Sequence, residues 1–316
     1  MKRPFMLIIS GPTAVGKSSL AERLAGLIPA EIINGDMAQC YTRLSIGTAK
    51  PDWRNSPIPH HLFDIIDEPR DFTVVEYYQK VQQALMDIRQ RDKLPIIVGG
   101  SGFYLHSLFF PPKQVVQRSS IEIEENDPEK LWEQLYKIDS PRALQIGHSD
   151  VYRLKRALEI WHNTGQKPSD YAPTYDPVCN DFHFIFCMRE RKELHNRINA
   201  RVKQMFVAGW LQEVQKIMGT EWEEFLQRKK IIGYNDILLF LHQENQSDKE
   251  KEKMIHTISK RTRRYAKRQV TFWRMLSRHL LQQAPHNIIE TSNLSDIVID
   301  DYLATLVKKL GTEINI

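Results

Sequence analysis

Short apolar runs alternate with segments of helical periodicity through residues 1–112. Continuous apolar runs at 5–9 and 94–98 predict buried strands, and the segment 31–34, centred on Ile32 and Ile33, predicts another. The helical spacing of apolar positions over 74–88 predicts a helix between two of these strands. Strands that are apolar on both faces and are joined by helices are typical of a parallel sheet covered by helices.

The pattern changes after Pro112. Residues 113–181 lack apolar runs, and helices are expected to begin near Asp127, Ser140 and Asp150. An apolar run at 182–188 then resumes the sheet. It is followed by one long amphipathic helix over 194–217, by helices beginning near 232 and spanning 253–280, and by a last helix at 296–310. We therefore predict a catalytic core formed by residues 1–112 and 182–316, with a helical insertion at 113–181.

Composition excludes several classes of protein. The 316 residues are 41% hydrophobic and 26% charged, which is ordinary for a soluble globular protein. No apolar stretch approaches a membrane span, and Cys40, Cys179 and Cys187 show neither zinc-type spacing nor a disulfide framework. A cytoplasmic protein is expected.

A glycine-framed loop lies between the first strand and a predicted helix. It consists of Gly11, Pro12, Thr13, Ala14, Val15, Gly16, Lys17 and Ser18. Backbone N–H groups in such a loop converge on phosphate, Lys17 reaches the outer phosphate, and the hydroxyl of Ser18 ligates Mg²⁺. The alternative is an ordinary strand-to-helix turn. With the loop included, the predicted fold is α/β: a P-loop kinase-like parallel sheet flanked by helices, with an inserted all-helical domain.

Two further stretches follow predicted strands and should lie at the same edge of the sheet. Asp36 could bind Mg²⁺-associated water or accept a proton from a substrate, or it could be a helix cap. The glycines around Ser101 indicate close approach of the backbone to a ligand, or a tight turn. The strand at 94–98 carries no Walker-B aspartate, which argues against nucleotide hydrolysis.

Basic residues concentrate in the helix predicted at 253–280. No acidic residue occurs between Lys253 and Arg278, and an inward apolar stripe leaves most of the basic side chains outside. A face of one sign suits a polyanion, although a solvated helix is the alternative. A second basic cluster, beside Tyr152, falls in the insertion and consists of Arg153, Lys155 and Arg156.

Together these features predict an enzyme that uses a phosphorylated small molecule on a nucleic acid. A small-molecule P-loop kinase that uses ATP would explain the loop, but it would leave the basic helix without a role. A non-catalytic RNA-binding protein would explain the basic helix, but not the loop.

Several motifs occur in an order that is characteristic of one family. They are GPTAVGKS at 11–18, DMAQCY at 36–41, IGTAKP at 46–51, HHLFD at 60–64, VGGSGFY at 98–104, RLKRALE at 153–159 and RTRRYAKRQ at 261–269. With these motifs the chain resembles the tRNA dimethylallyltransferase family, also called tRNA isopentenyltransferases, of the bacterial type. The likeness covers roughly residues 5–280.

The resemblance implies a reaction. A dimethylallyl group would pass from dimethylallyl diphosphate to N6 of adenosine 37 in tRNA, next to the anticodon, giving N6-dimethylallyladenosine and diphosphate. Lys17, the loop and Mg²⁺ would neutralise the leaving diphosphate, Asp36 would take the proton from the attacking amine, and Ser101 would hydrogen-bond near the same centre. The adenine would be extruded into a channel.

The resemblance also implies contacts to tRNA. The insertion and the basic helix would grip the anticodon stem-loop, and the protein would act as a monomer away from membranes. The implied contact residues are Asp36, Met37, Ala38, Gln39, Ser101, Tyr152, Arg153, Lys155, Arg156, Lys230, Gly233, Tyr234, Arg264, Lys267, Arg268, Gln269 and Arg274.

Four positions depart from the family pattern. Ser101 stands where threonine is usual and keeps the hydroxyl, and Tyr152 stands where glutamine is usual. Asn235 and Asp236 stand where the family has arginine and glutamine. Because Asn235 has no guanidinium, either Arg264 or Lys230 compensates or diphosphate binding is weaker.

Overall fold

A computed structural model describes residues 5–111, 123–170 and 176–314. The chain forms two compact units, one of Met1–Phe109 with Pro177–Ile316 and the other of Phe110–Asp176. The boundary predicted at 112–113 lies outside the described residues.

The first unit is built on a six-stranded sheet in the order β3-β2-β4-β1-β5-β6, and every pair of neighbouring strands is parallel. The strands are β1 (Phe5–Ser10), β2 (Ala30–Asn34), β3 (His60–His61), β4 (Leu94–Gly99), β5 (Asp181–Met188) and β6 (Ile288–Asn293). The predicted parallel α/β fold is confirmed. The sequence did not indicate β6, because most of this edge strand is only partly buried and its apolar run is short.

Twelve α-helices are found in the described part of the chain. They are α1 (Lys17–Ala25), α2 (Val74–Gln90), α3 (Gly102–Phe109), α4 (Pro128–Ile138), α5 (Ser140–Ile146), α6 (Val151–Thr164), α7 (Arg191–Val207), α8 (Trp210–Gln215), α9 (Glu221–Lys229), α10 (Tyr234–Leu241), α11 (Asp248–Gln283) and α12 (Ile299–Ile314). None of the described helices is both long enough and apolar enough to cross a bilayer.

One helix prediction is wrong. The single helix expected over 194–217 is two helices, because Gly209 adopts a φ of 100° and ends the continuous backbone between α7 and α8. The sequence also missed α9, whose start is set by the side chain of Thr220 accepting from the N–H of Trp222.

The strand order positions the loops that matter. Strand β1 lies between β4 and β5, so the loop after β1 lies at the middle of the carboxyl edge. The glycine-rich turn after β4 is on one side of this loop, and Arg189, directly after β5, is on the other. Helix α11 packs against α3, α7 and α10, which places its long face beside this edge.

The second unit contains α4, α5 and α6 around a small apolar core of Leu131, Leu135, Ala143, Leu154, Ala157 and Leu158. The three helices begin at or next to Asp127, Ser140 and Asp150, as expected, and the residue that caps α5 is Asp139. The side chains of Asp127, Asp139 and Asp150 accept hydrogen bonds from the first-turn N–H groups of α4, α5 and α6 respectively.

Candidate active site

The loop between β1 and α1 has the shape that a phosphate requires. Gly16 has a φ of 108° and opens α1 directly before Lys17, and the N–H of Val15 donates to the carbonyl of Pro12 at 3.3 Å. The first turn of α1 holds no acidic residue, so its N-terminal N–H groups and dipole face no internal carboxylate on that turn. Six of the eight predicted residues form this loop, and Lys17 and Ser18 are the first two residues of α1.

A cavity of about 430 Å³ lies over the loop. Its walls include Lys17, Ser18, Asp36, Arg197 and Arg201. Burial lowers the pKa of Lys17 from 10.5 to about 8, although the nearby carboxylate of Asp36 works in the opposite direction. The cavity therefore combines cations and backbone donors with a single carboxylate from Asp36, which suits a bound polyanion.

Asp36 and Ser101 meet because the ends of β2 and β4 approach closely. A Cβ on Gly99 would lie 2.1 Å from the carbonyl of Gly35, so this approach requires glycine. The hydroxyl of Ser101 donates to Asp36 Oδ1 at 3.4 Å and accepts from the N–H of Met37 at 3.3 Å. The structure thus brings together the two candidate groups that the sequence placed after separate strands.

A second cavity, of about 310 Å³, begins where the first ends. The two share the residues Thr13, Ala14, Asp36, Thr48 and Arg201. The second has mainly apolar walls, which include Ile198, Val202, Met205, Trp210, Ile231 and Ile232. Asp36 therefore borders both a cationic space and an apolar space.

A third cavity, of about 340 Å³, continues the series towards α11. It shares Lys230, Ile231, Ile232 and Arg268 with the second cavity and adds Asn235, Arg261 and Arg264. Asn235 thus lies with Lys230 and Arg264, the two residues expected to compensate for it. None of these three lines the loop cavity.

One wall of the second cavity is formed by Gly47, Thr48 and Ala49, in a loop over residues 45–50 that hydrogen bonds hold in place. Glu213 accepts hydrogen bonds from the N–H groups of Ser45, Ile46 and Gly47 at 2.7–3.2 Å. The side-chain amide of Gln39 donates to the carbonyls of Thr48 and Ala49 at 3.0 and 3.2 Å. The NH₂ group of Gln39, one of the implied tRNA contacts, is thus engaged in supporting this wall.

The sequence missed three arginines at the site. Arg189 follows β5, and Arg197 and Arg201 lie four residues apart on α7. Arg201 lines the first and second cavities and approaches the hydroxyl of Thr13 at 3.4 Å. Burial lowers its pKa, and Asp36 opposes that effect. The four-residue spacing of Arg197 and Arg201, which places them on one face of a helix, was the sequence signal that could have identified them.

Helix α11 has the two faces that its pattern predicts. Ile258, Ala266, Trp273 and Leu280 are buried, while Ile255 and Thr262 are half-buried. Arg264, Lys267, Arg268 and Arg274 are exposed. The basic face of α11 is therefore accessible beside the third cavity.

Three implied tRNA contacts lie inside the protein instead. Tyr234 is fully buried and donates to Glu213 at 2.7 Å, and Gly233 leaves room for the ring of Trp210, whose nearest atom would be 2.0 Å from a Cβ at that position. Gln269 is buried, accepts from the N–H of Thr13 at 2.9 Å and donates to the carbonyl of Gly100 at 2.8 Å. These residues pack within the protein around the site, and the polar groups of Tyr234 and Gln269 are buried in hydrogen bonds to other protein groups.

The basic cluster of the second unit has internal partners. Lys155 donates to the carbonyl of Ile123 at 2.7 Å and to Asn126, Arg153 pairs with Asp150, and Arg156 pairs with Glu159. Tyr152 is 75% exposed. Acidic partners thus reduce the net positive potential of this cluster.

Comparison with known proteins agrees with this geometry. Residues 39–276 match the family model described as IPP transferase, and residues 5–55 match one described as isopentenyl transferase. The chain is 37% identical to a tRNA dimethylallyltransferase of Lacticaseibacillus paracasei over 85% of this chain and 88% of that one. It is 34% identical to one of Petrotoga mobilis over 86% and 91%.

Two solved structures share the fold. A tRNA isopentenylpyrophosphate transferase from Staphylococcus epidermidis is 26% identical with a TM-score of 0.64, covering 98% of this chain and all of that one. A eukaryotic dimethylallyltransferase, described as acting on tRNA, is 27% identical with a TM-score of 0.76, covering 96% and 77%. With a phosphate loop, a neighbouring carboxylate and a family match over most of its length, this chain belongs to the IPP transferase family.

Proposed function

We propose that the chain transfers the dimethylallyl group of dimethylallyl diphosphate to N6 of adenosine 37 in tRNA, as a monomer in the cytoplasm. The observation that carries the proposal is the position of Asp36. Its carboxylate lies where a cationic cavity over the phosphate loop joins an apolar cavity that leads to the basic face of α11. A proton acceptor between a diphosphate and a base is what this transfer needs.

The donor's diphosphate belongs in the loop cavity. The N-terminus of α1, Lys17 and Arg201 would bind its oxygens and neutralise the charge that grows as it leaves. Magnesium commonly binds few protein oxygens and completes its coordination with phosphates and water. The hydroxyl of Ser18, which lines the same cavity, fits that donor set. When bound there, Mg²⁺ supplies further charge neutralisation to the diphosphate.

The transfer step forms one C–N bond and breaks one C–O bond. The lone pair of adenosine N6 forms a bond to C1 of the dimethylallyl group, and the C1–O bond breaks with its electrons passing to the diphosphate. The proton of N6 passes to Asp36, with Ser101 holding that carboxylate by a hydrogen bond. The apolar walls of the second cavity exclude water, which would otherwise compete as the nucleophile.

The acceptor enters from the opposite end. A stacked adenine cannot reach Asp36, so it must leave the stack and enter the second cavity. Exposed Arg264, Lys267, Arg268 and Arg274 would bind the RNA backbone around the opening, with Lys230 at its edge. We further propose that Tyr152 and Arg153 of the second unit contact the anticodon stem-loop.

The test is an assay with purified protein. Unmodified tRNA, Mg²⁺ and dimethylallyl diphosphate should yield tRNA in which one adenosine, at position 37, has gained the mass of one dimethylallyl group. The parallel reaction contains ATP in place of the donor and a panel of small alcohols and nucleosides. Phosphate transfer from ATP, with tRNA left unmodified, would overturn the proposal in favour of a small-molecule kinase.

A further inference from the structure

Two arginines hold the phosphate loop by its carbonyl groups and have no part in the transfer step above. Nε of Arg197 donates to the carbonyl of Ala14 at 2.9 Å, and Nε of Arg189 donates to the carbonyl of Val15 at 2.7 Å. Arg189 also donates to Glu193 at 2.6 Å and to the carbonyl of Leu294 at 3.1 Å. These contacts tie the loop to α7 and to the end of β6.

Holding these carbonyls sets the direction of the loop's N–H groups. In a trans peptide plane, the C=O of one residue and the N–H of the next point in opposite directions. The contact at Val15 therefore turns the N–H of Gly16 away from Arg189, and Gly16 lines the loop cavity. The contact at Ala14 likewise favours the bond from the N–H of Val15 to Pro12.

The conformation at Ala14 requires such support. Its φ is 65°, in the left-handed region that is unfavourable for a residue with a Cβ. Contacts with a bound polyanion could offset this strain. A loop that already has its bound conformation in the free protein binds the polyanion more tightly, because less conformational entropy is lost on binding. The hydrogen bond from Arg197 falls on the strained residue itself.

We propose that Arg189 and Arg197 are positioning residues that preorganise the phosphate loop for a diphosphate through the carbonyls of Val15 and Ala14. The identity of the ligand as the donor's diphosphate rests on the proposed function. Arg197 lines the loop cavity as Arg201 does, but its Nε is engaged by the carbonyl of Ala14. Arg201 borders both cavities and is the arginine placed to contact the donor directly.

Arg197 provides the sharper test, since Arg189 also holds Glu193 and Leu294. Binding of inorganic pyrophosphate with Mg²⁺ is measured by calorimetry on the full-length protein, without tRNA. Arg197→Met should weaken binding about tenfold, the usual effect of losing one hydrogen bond that a charged group donates. The KM for dimethylallyl diphosphate should rise similarly while the KM for tRNA stays unchanged. Arg191→Met, an exposed arginine at the start of the same helix, should bind as wild type does.

A second substitution separates positioning from direct contact. Glycine adopts a positive φ without strain, so adding Ala14→Gly to Arg197→Met should recover most of the lost affinity. Unchanged binding by Arg197→Met would overturn the proposal. So would a double variant no better than the single one, because the guanidinium would then act by touching the ligand. Wild-type protein that binds pyrophosphate but leaves tRNA unmodified would refute the proposed function and not the role of the arginines.

Discussion

Asp36 is positioned by one hydrogen bond within its own segment and by one from a distant segment of the chain. Its N–H is held by Asn34 at 2.9 Å, and its carboxylate receives a hydrogen bond of 3.4 Å from Ser101. A bond of that length is weak, so the carboxylate keeps lone pairs for an incoming proton. The adjacent Ser101 orients the carboxylate without engaging it fully.

Asp36→Asn is expected to lower single-turnover transfer by roughly 10²- to 10⁴-fold, since an amide cannot accept the proton of N6. Binding of tRNA, measured by filter binding, should stay within twofold because the shape of the side chain is retained. Asp92→Asn is a matched control, exposed and with a φ of 54° that asparagine tolerates. Full transfer by Asp36→Asn would remove Asp36 as the base.

The lowered pKa of Lys17 predicts a pH effect on the use of the donor. Burial brings this pKa to about 8, so in the free enzyme the ammonium loses its proton as the pH rises through that value. The kcat/KM for dimethylallyl diphosphate should therefore fall above about pH 8. Below that pH, Lys17 stays charged and should cause no change in kcat/KM. Lys17→Arg, which stays charged, should remove the alkaline inflection even if its overall rate is lower. An inflection that survives in Lys17→Arg belongs to another group.

At the scale of elements, α11 carries both the face proposed to bind RNA and a side chain that contacts the phosphate loop. Its exposed side carries Lys267 and Arg268, while the next residue, Gln269, hydrogen-bonds to the phosphate loop and to Gly100. One turn earlier, Tyr265 lines the second cavity together with Ser101. RNA bound to this helix as proposed would therefore lie only one helical face away from the groups proposed to bind the donor.

Replacing both Lys267 and Arg268 with alanine should weaken tRNA binding and make it less sensitive to salt. Two lost phosphate contacts correspond to a slope of log K against log salt that is shallower by about 1.5–2. Lys249→Ala with Lys253→Ala, both exposed near the start of α11, serves as the control of equal charge change. An unaltered slope in the first variant would make this face an ordinary solvated surface.

At the scale of the whole molecule, a buried carboxylate joins three separate segments. Glu31 of β2 is contacted by Arg91 and Lys93 from the turn after α2 and by His61 of β3, at 2.7–3.3 Å. Burial by itself would raise the pKa of Glu31, but these hydrogen bonds outweigh it and lower the pKa from 4.5 to about 2.

This lowered pKa predicts a loss of stability in acid. The contribution of Glu31 is complete above pH 4.5 and disappears as the pH falls from there towards 2. Glu31→Gln should lower the free energy of unfolding at pH 7 by about 2–3 kcal/mol and reduce its pH dependence in that window. Urea denaturation at pH 7 and pH 3 measures both effects. Glu68→Gln, at an exposed pair with Arg70, should change neither.

Much of the fold was predictable because its signals are local. Apolar runs marked β1, β4 and β5, and the segment around Ile32 and Ile33 marked β2. The starts of α4, α5 and α6 were marked by Asp127, Ser140 and Asp150. The missed elements lack such signals. Gly209 breaks a pattern whose apolar spacing continues through it, and β6 pairs at the edge of the sheet with few buried side chains.

The sequence alone determined a phosphate loop, a parallel α/β fold and a basic helix, since each depends on residues close together in the chain. Tertiary structure decided which residues surround the loop. Arg189, Arg197 and Gln269 reach it from more than 170 positions away in the sequence. Tyr234 points inward because its hydroxyl donates to Glu213 and its ring packs against Trp210. Side-chain direction across such distances follows from packing and from the pairing of buried polar groups, which no local pattern encodes.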